Sequence, residues 1–551
     1  MKSQMLKKIK KNKSLIGIIA LFLVSSVFIL DKRYFTSPPL RSDDWEWLIR
    51  PYIFDPLKII NFADRRPFIS TPLAILTQVF GLNVSWYYVV NWLLIFISGV
   101  VVFKIIKRSF PTYDGLALPA ALIYLIYPVN YARTWLIVIN NTFSLLLSLV
   151  AILLMVSYLR SGKILLLIFG NLLFLISLGM YEAGLGIVIT AALMLILTSR
   201  KIHFKKRMLI GFFLLTAGVF FIYRTVIQSR ILDIQDYYLA NVSLNFSTLI
   251  ERYIQGLFIF LFNWVGPLLF SFGEYKYWVF VGIALSVLIV LGAMLPKWVR
   301  AAKSNQDFLY EDRIKQIKSL SLISLVGGIF WFAGYIPVIA LWQPIFYGDG
   351  SRVNFSSIPG ASIALVAGIA ALITLLVKRK EHIHSILVIT IIPLIVLGMG
   401  YQVHSQNQRF RVWDMNKAFW QTMFTEISNV KDGTKLVAVI PGYETLEPFE
   451  MLPFRGDWEI QSAFSVLYNN PELFGEYYYL DIPDHPDNWV PLDADLSRIL
   501  FVYFDPEISE FRIIEDVGSA INLPFDTYQY DPNQRITPYS GDIDEYRWLI
   551  D

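Results

Sequence analysis

The sequence predicts an all-α polytopic membrane domain followed by a small soluble domain of α/β or α+β type. Three observations carry this. Apolar runs of about 17–25 residues, the length that crosses a bilayer core, recur from Ser14 to Tyr401. The chain is 55% hydrophobic over 551 residues, with a mean hydropathy of +0.52. Its charge is also split: residues 1–401 hold 38 Lys/Arg against 17 Asp/Glu, whereas residues 402–551 hold 10 against 26. Basic loops are typical of the cytoplasmic side of a membrane domain. The acidic remainder reads as a separate domain.

The amino terminus pairs a basic block, "KKIKKNK", with the apolar run "SLIGIIALFLVSSVFIL". No small-residue cleavage site follows, since "DKRYF" comes next, so the run is expected to stay as an anchor. Spans are expected near 14–30, 84–105, 115–128, 135–158, 163–179, 182–199, 208–227, 277–295, 319–341, 355–377 and 384–401. These about eleven helices put the basic loops "KIIKRSFPTYD", "RSGK", "SRKIHFKKR", "PKWVRAAKSNQDFLYEDRIKQIK" and "KRKEH" on the cytoplasmic side. The expected arrangement is a multi-pass plasma-membrane protein with a cytoplasmic amino terminus and an extracytoplasmic carboxyl-terminal domain. The stretch 253–272, "YIQGLFIFLFNWVGPLLFSF", breaks this parity if it spans, and is expected to be re-entrant or interfacial.

The division falls between a transmembrane domain at 1–401, with a long first outer loop at 31–83, and a soluble domain at 402–551. In the latter, "SQNQRFRVWDMNKAFWQTMFTEISNV" has helical spacing, and "KLVAVIP" and "RILFVYF" are β-branched and aromatic runs that read as strands. No cysteine is present, which removes disulfides, Cys-ligated metals and thiol nucleophiles. No P-loop or dinucleotide turn occurs. The positive charge lies mainly in cytoplasmic loops, so no nucleic-acid partner is expected.

The first outer loop holds the neighbouring acids Asp43 and Asp44, and an unusual set of cations for an outer loop: Lys32, Arg33, Arg41, Arg50, Lys58, Arg65 and Arg66. Mutual neutralisation at a solvated surface is the plain explanation. Phosphate binding is the functional one, since guanidinium matches phosphate geometry. Trp45, Trp47 and Tyr52 are expected to anchor the loop at the lipid interface.

The order Asp43-Asp44, then "RPFISTPLAILTQVFGLN", then an apolar helix resembles the GT-C class of membrane glycosyltransferases. The nearest likeness is to the branch with protein O-mannosyltransferases, the lipid A aminoarabinose transferase and Rgt-type bacterial sugar transferases. Weaker echoes are "YPVNYARTWLIVINNT" with Arg133, "SLGMYEAGLGIVI" with Glu182, and "GDGSRVNFSSIPGASIALVAGIAAL" with Arg352, where Val353 replaces the usual Tyr. The likeness covers roughly residues 14–401.

The resemblance implies an inverting transfer of sugar from a polyprenyl-phosphate donor to a glycan, lipid or protein hydroxyl at the outer membrane face. One aspartate, Asp44 ahead of Asp43, is expected to act as general base. Adjacent side chains on an extended segment point apart, so only one is expected to reach the acceptor. Arg352, Arg133, Arg66 and Arg65 are the candidates for the donor phosphate, with Arg352 following a flexible "YGDGS". Glu182 is expected to touch the acceptor or to make a structural hydrogen bond. Some relatives use a divalent cation, for which Asp43 or Asp44 would be the ligand; no other cofactor is expected. The competing readings are a polytopic transporter or lipid-linked glycan flippase, and a non-catalytic scaffold working through its acidic tail. Transporters commonly carry repeats or paired broken helices, and the sequence shows neither.

Overall fold

The structure is a computed structural model. It describes residues 15–41, 43–56, 66–198, 204–224, 245–265, 310–339, 349–377, 380–440, 457–479, 498–505 and 510–514, with a few single positions between them. The expected span at 277–295 and the end of 253–272 lie outside the described residues.

The chain forms two compact units. One comprises Met1–Asp31, Ala63–Pro72 and Tyr88–Ser405; the other comprises Lys32–Phe62, Leu73–Tyr87 and Gln406–Asp551.

The first unit is helical. Its elements are α1 (Leu15–Phe28), most of α4 (Val84–Ser109), α5 (Ala117–Ile126), α6 (Ile139–Ser161), α7 (Ile164–Met180), α8 (Leu185–Thr198), α9 (Phe204–Ile222), α10 (Phe246–Phe262), α11 (Tyr310–Ile339), α12 (Ile358–Leu376) and α13 (Lys380–Glu426) as far as Ser405. Among the described residues, five helical stretches are long and apolar enough to cross a membrane, and six more apolar helices are shorter. Exposed Leu165, Ile168, Phe169, Leu172, Phe212, Leu215 and Val219 on α7 and α9 give these helices an apolar exterior, as a lipid environment requires.

Helix ends follow local chemistry. Gly162 stops α6 in the left-handed region at φ 72°, and its N–H caps the carbonyl of Tyr158. Close approach of α11 and α12 depends on glycine. A Cβ at Gly360 would lie 2.1 Å from the Trp331 backbone nitrogen, the small-residue packing common between membrane helices.

Several expectations shift. The first ten residues of the stretch 253–272 belong to a helix, α10, that starts earlier, at Phe246 behind an Asn245 cap, and ends at Phe262. Its Arg252 donates to the carbonyl of Ile339 at 2.6 Å, and Tyr253 stacks on Phe332 with ring centroids 4.0 Å apart. The last span and the helical segment after it are one helix, α13, because nothing from Tyr401 to Ser405 breaks helical geometry.

The second unit holds the rest of α13, a helix at residues 43–54 (α2), most of α3 (Thr71–Phe80), α14 (Asp457–Leu467) and a four-stranded sheet. The strands are β1 (Lys435–Ile440), β2 (Phe474–Tyr479), β3 (Ile499–Asp505) and β4 (Glu510–Ile513), in the order β2-β1-β3-β4. β1 lies parallel to both β2 and β3, and β4 closes the edge antiparallel to β3. α14 supplies the crossover that a parallel β1–β2 pair needs. Central β1 and β3 are the two apolar runs legible in sequence; Leu436, Ala438, Ile440, Leu500 and Val502 are wholly buried.

Candidate functional site

Four connections converge in the first unit: residues 66–70, 127–138, 181–184 and 349–357. Phe68 N–H donates to the carbonyl of Gly179 at 3.0 Å. The Tyr181 ring meets that of Phe355 at 5.8 Å and lies under the guanidinium of Arg66, 4.5 Å from its centroid. Ser351 Oγ accepts from the backbone N–H of Tyr131 and Ala132 at 2.9 and 3.2 Å. Asn354 receives the Tyr335 hydroxyl at 2.8 Å and donates to the carbonyl of Val129 at 2.9 Å. α13 pins the second connection, through Ser405 donating to the carbonyl of Tyr131 at 2.8 Å.

At this end Glu182 opens the turn Glu182–Gly184 between α7 and α8. Its carboxylate binds two arginines. Arg66 Nε lies 3.1 Å from Oε2, and an Arg224 Nη lies 3.0 Å from Oε1. Burial works against the charge of Glu182, but the guanidinium of Arg66, and then that of Arg224, outweighs it. The carboxyl is held below its ordinary value. The three side chains together carry a net charge of +1. Two guanidiniums that would repel each other are thus held side by side by one carboxylate.

Arg133 stands in the second connection but is otherwise engaged. Its Nη1 donates to the carbonyls of Tyr124 and Leu125 at 3.1 and 2.7 Å. These belong to the last turn of α5, whose carbonyls lack helical partners. The guanidinium also packs over the rings of Tyr124 and Phe28. It is buried, and serves as a cap for α5.

Arg352 is half-buried on a 3-10 helix, Asp349–Ser357, that leads into α12. Of the expected flexible "YGDGS", residues 347–348 lie outside the described residues, and Asp349–Ser351 open the 3-10 helix. Ser351, Asn354 and Ser356, the last donating to the carbonyl of Gly334 at 2.7 Å, tie the segment to its neighbours. Arg65 lies outside the described residues.

Asp43 and Asp44 belong to the second unit, at the start of α2. Their backbone is helical, with Asp44 at φ −65° and ψ −39°, so the expected extended segment is not formed. The reason is local. Asp44 Oδ2 accepts the N–H of Arg41 at 3.1 Å, while Asp44 N–H donates to the carbonyl of Arg41 at 2.9 Å. An acidic side chain here reaches back to a free N–H at the helix start, as in a capping box. Asp44 is buried and Asp43 half-buried.

Winding as a helix also puts Trp45, Leu48 and Ile49 on one buried face. Trp45 is only 1% exposed, so it is a core residue of this unit and not a lipid-interface anchor. Glu46 Oε2 accepts the hydroxyl of Ser462 on α14 at 2.5 Å. Just ahead of α2, Arg33 donates to Asn407 Oδ1 at 3.0 Å and Trp413 donates to Ser37 Oγ at 3.2 Å. The first loop and the later part of α13 thus share one core. Among the described residues, no group of three or more His, Asp or Glu is placed to hold a metal ion.

Sequence reasoning missed Arg224. It stood inside an expected span, 208–227, where an ionisable residue is itself a signal of function.

No family model matches the chain, and no curated protein matches it. Among solved structures, the crystal structure of ArnT from Cupriavidus metallidurans bound to undecaprenyl phosphate is similar over 89% of this chain and 92% of that one, at 11% identity and a TM-score of 0.38.

Proposed function

We propose that this chain is a membrane glycosyltransferase that moves a sugar from a polyprenyl-phosphate donor to an acceptor hydroxyl at the outer face of the membrane. The observation that carries the reading is the pair of guanidiniums held by Glu182, at the end of an apolar helical bundle. A lipid phosphate has a chain suited to the apolar exterior and an anion suited to two arginines. Guanidinium is less strongly hydrated than ammonium and matches phosphate oxygens in a planar fork.

In the proposed reaction the acceptor hydroxyl oxygen attacks the anomeric carbon as the bond from that carbon to the phosphate oxygen breaks. The configuration inverts in one displacement. The hydroxyl proton passes to a general base, the role that the sequence resemblance gives to Asp44 or Asp43 of the second unit. The bonding pair leaves with the phosphate, whose negative charge rises in the transition state. Fixed cations stabilise that charge without having to reorganise. Arg66 and Arg224 take this role, with Arg352 as a third contributor. Arg133 supports the connection by capping α5. The acceptor is a glycan, lipid or protein hydroxyl.

The donor-binding half is tested alone by thermal unfolding of the purified chain with a long-chain polyprenyl phosphate. A ligand that binds only the folded state raises Tm with concentration. A rise of several degrees that is lost in the Arg66→Gln, Arg224→Gln double variant supports the reading. An equal rise in that variant contradicts it.

A further inference from the structure

A cavity among the helices of the first unit uses neither Glu182 nor its two arginines as lining residues. α4, α6, α8, α11 and α12 of the first unit line a partly open cavity of about 310 Å³. Its wall is almost entirely apolar, including Ile106, Leu149, Ile152, Ala191, Met194 and Phe330. The exceptions stand together at one end: Arg108 and Ser109 close α4, and Arg160 stands in the last turn of α6.

The two arginines are arranged as a pair. Arg160 donates to the carbonyl of Arg108, and Arg108 donates to the hydroxyl of Ser157. Neither guanidinium has a carboxylate partner among the described residues. Both are exposed at the cavity mouth. The basic segments "KIIKRSFPTYD" and "RSGK" that hold them are those whose charge points to the cytoplasmic side.

The volume sits at the low end of the roughly 300–1,000 Å³ usual for small-molecule sites, and is about twice the apolar cavity of about 150 Å³ that binds benzene. An apolar lining gives water no partners, so the chemistry calls for a hydrocarbon occupant. The paired cations at the mouth call for an anion on the same molecule. An anionic glycerophospholipid has both.

We propose that this cavity holds one acyl chain of an anionic glycerophospholipid, with its headgroup phosphate on Arg108 and Arg160. Arg160 and Arg108 bind the phosphate oxygens as a fork, and the bound chain fills space between five helices. The site is independent of sugar transfer: it uses neither Glu182 nor the acids of the first loop.

The experiment uses the full chain in nanodiscs of zwitterionic lipid doped with phosphatidic acid carrying a diazirine near the end of one acyl chain. Labelled peptides are located by mass spectrometry. The expected result is labelling of α6 and α8 peptides that line the cavity, including 149–152 and 191–194. Arg108→Gln with Arg160→Gln should cut that labelling about tenfold or more, since each cation near an anionic lipid contributes about 1 kcal/mol. Ala191→Leu leaves both arginines in place and narrows the cavity, so it should also reduce labelling there.

Three results would overturn the proposal. One is equal labelling of the same peptides by phosphatidylcholine carrying the same chain. Another is labelling confined to other helices. The third is displacement of the phosphatidic acid by millimolar inorganic phosphate, which would make the arginine pair a site for the free anion.

Discussion

Arg66 Nε lies 3.1 Å from a carboxylate oxygen of Glu182, 116 residues further along the chain. The pair ties the connection before α3 to the turn between α7 and α8, and Arg224 joins it from beyond α9. Glu182→Gln removes the charge that holds both arginines. It should lower stability by about 1–3 kcal/mol, the usual cost of breaking a half-buried network. A double-mutant cycle with Arg66→Gln should return a coupling of roughly 0.5–3 kcal/mol, because the partners share one contact. Additive losses would show that the pair does not act as a unit.

The same carboxylate sets a pH dependence. Its folded value lies below the ordinary one, so its stabilising contribution is full above the ordinary glutamate range. That contribution is lost as pH falls through the depressed folded value. The Tm difference between wild type and Glu182→Gln should therefore hold constant from pH 7 down to about 5 and shrink on further acidification. A gap that widens below pH 5 would reverse the sign and contradict the pairing.

The two acids of α2 separate by chemistry and by stability. Asp44→Asn keeps an oxygen that accepts the Arg41 N–H but cannot take a proton. It should leave Tm nearly unchanged and, if Asp44 is the base, cut transfer by about 10²–10⁴-fold. Asp44→Ala loses the reach-back bond as well and should cost about 1 kcal/mol of stability. Asp43→Asn, at the half-buried position, tells which acid is used. Wild-type transfer by both Asn variants would remove the acids from the mechanism.

Arg133 and Arg352 should part company in the same assays. Arg133→Ala strips two helix-end carbonyls of their partner in a buried place, and should lower Tm, by about 1–3 kcal/mol in stability. Arg352→Ala should leave Tm close to wild type and lower turnover more than acceptor binding, since its contact strengthens as phosphate charge develops. The reverse pattern would exchange their roles.

How much of this was legible in the sequence varies from residue to residue. β1 and β3 announce themselves as short β-branched and aromatic runs between Pro, Gly and Asp. Most described helices lie within a few residues of an apolar run. Glu182 was legible as an acid at a helix mouth, but its partners were not, because residues 116 and 42 positions away meet only through the bundle. The reach-back from Asp44 to Arg41 was hidden because no Ser, Thr, Asp or Asn stands at position 41 to mark the helix start. Without that start, Trp45 read as a lipid anchor when its helical phase makes it core. Arg133 looked like a loop cation because the free carbonyls it caps belong to a helix end that sequence places only within a few residues.

The central claim is that a sugar leaves a polyprenyl phosphate on this protein. The most direct measurement is sugar release from a panel of polyprenyl-phosphate sugars by the purified full chain in vesicles, with the Arg66→Gln, Arg224→Gln variant in parallel. The account predicts release of sugar to a hydroxyl acceptor from at least one donor, with loss of about 10²-fold or more when both cations are removed. Release by the variant at the wild-type rate, or no release from any donor by a folded chain that also fails to bind polyprenyl phosphate, would contradict it.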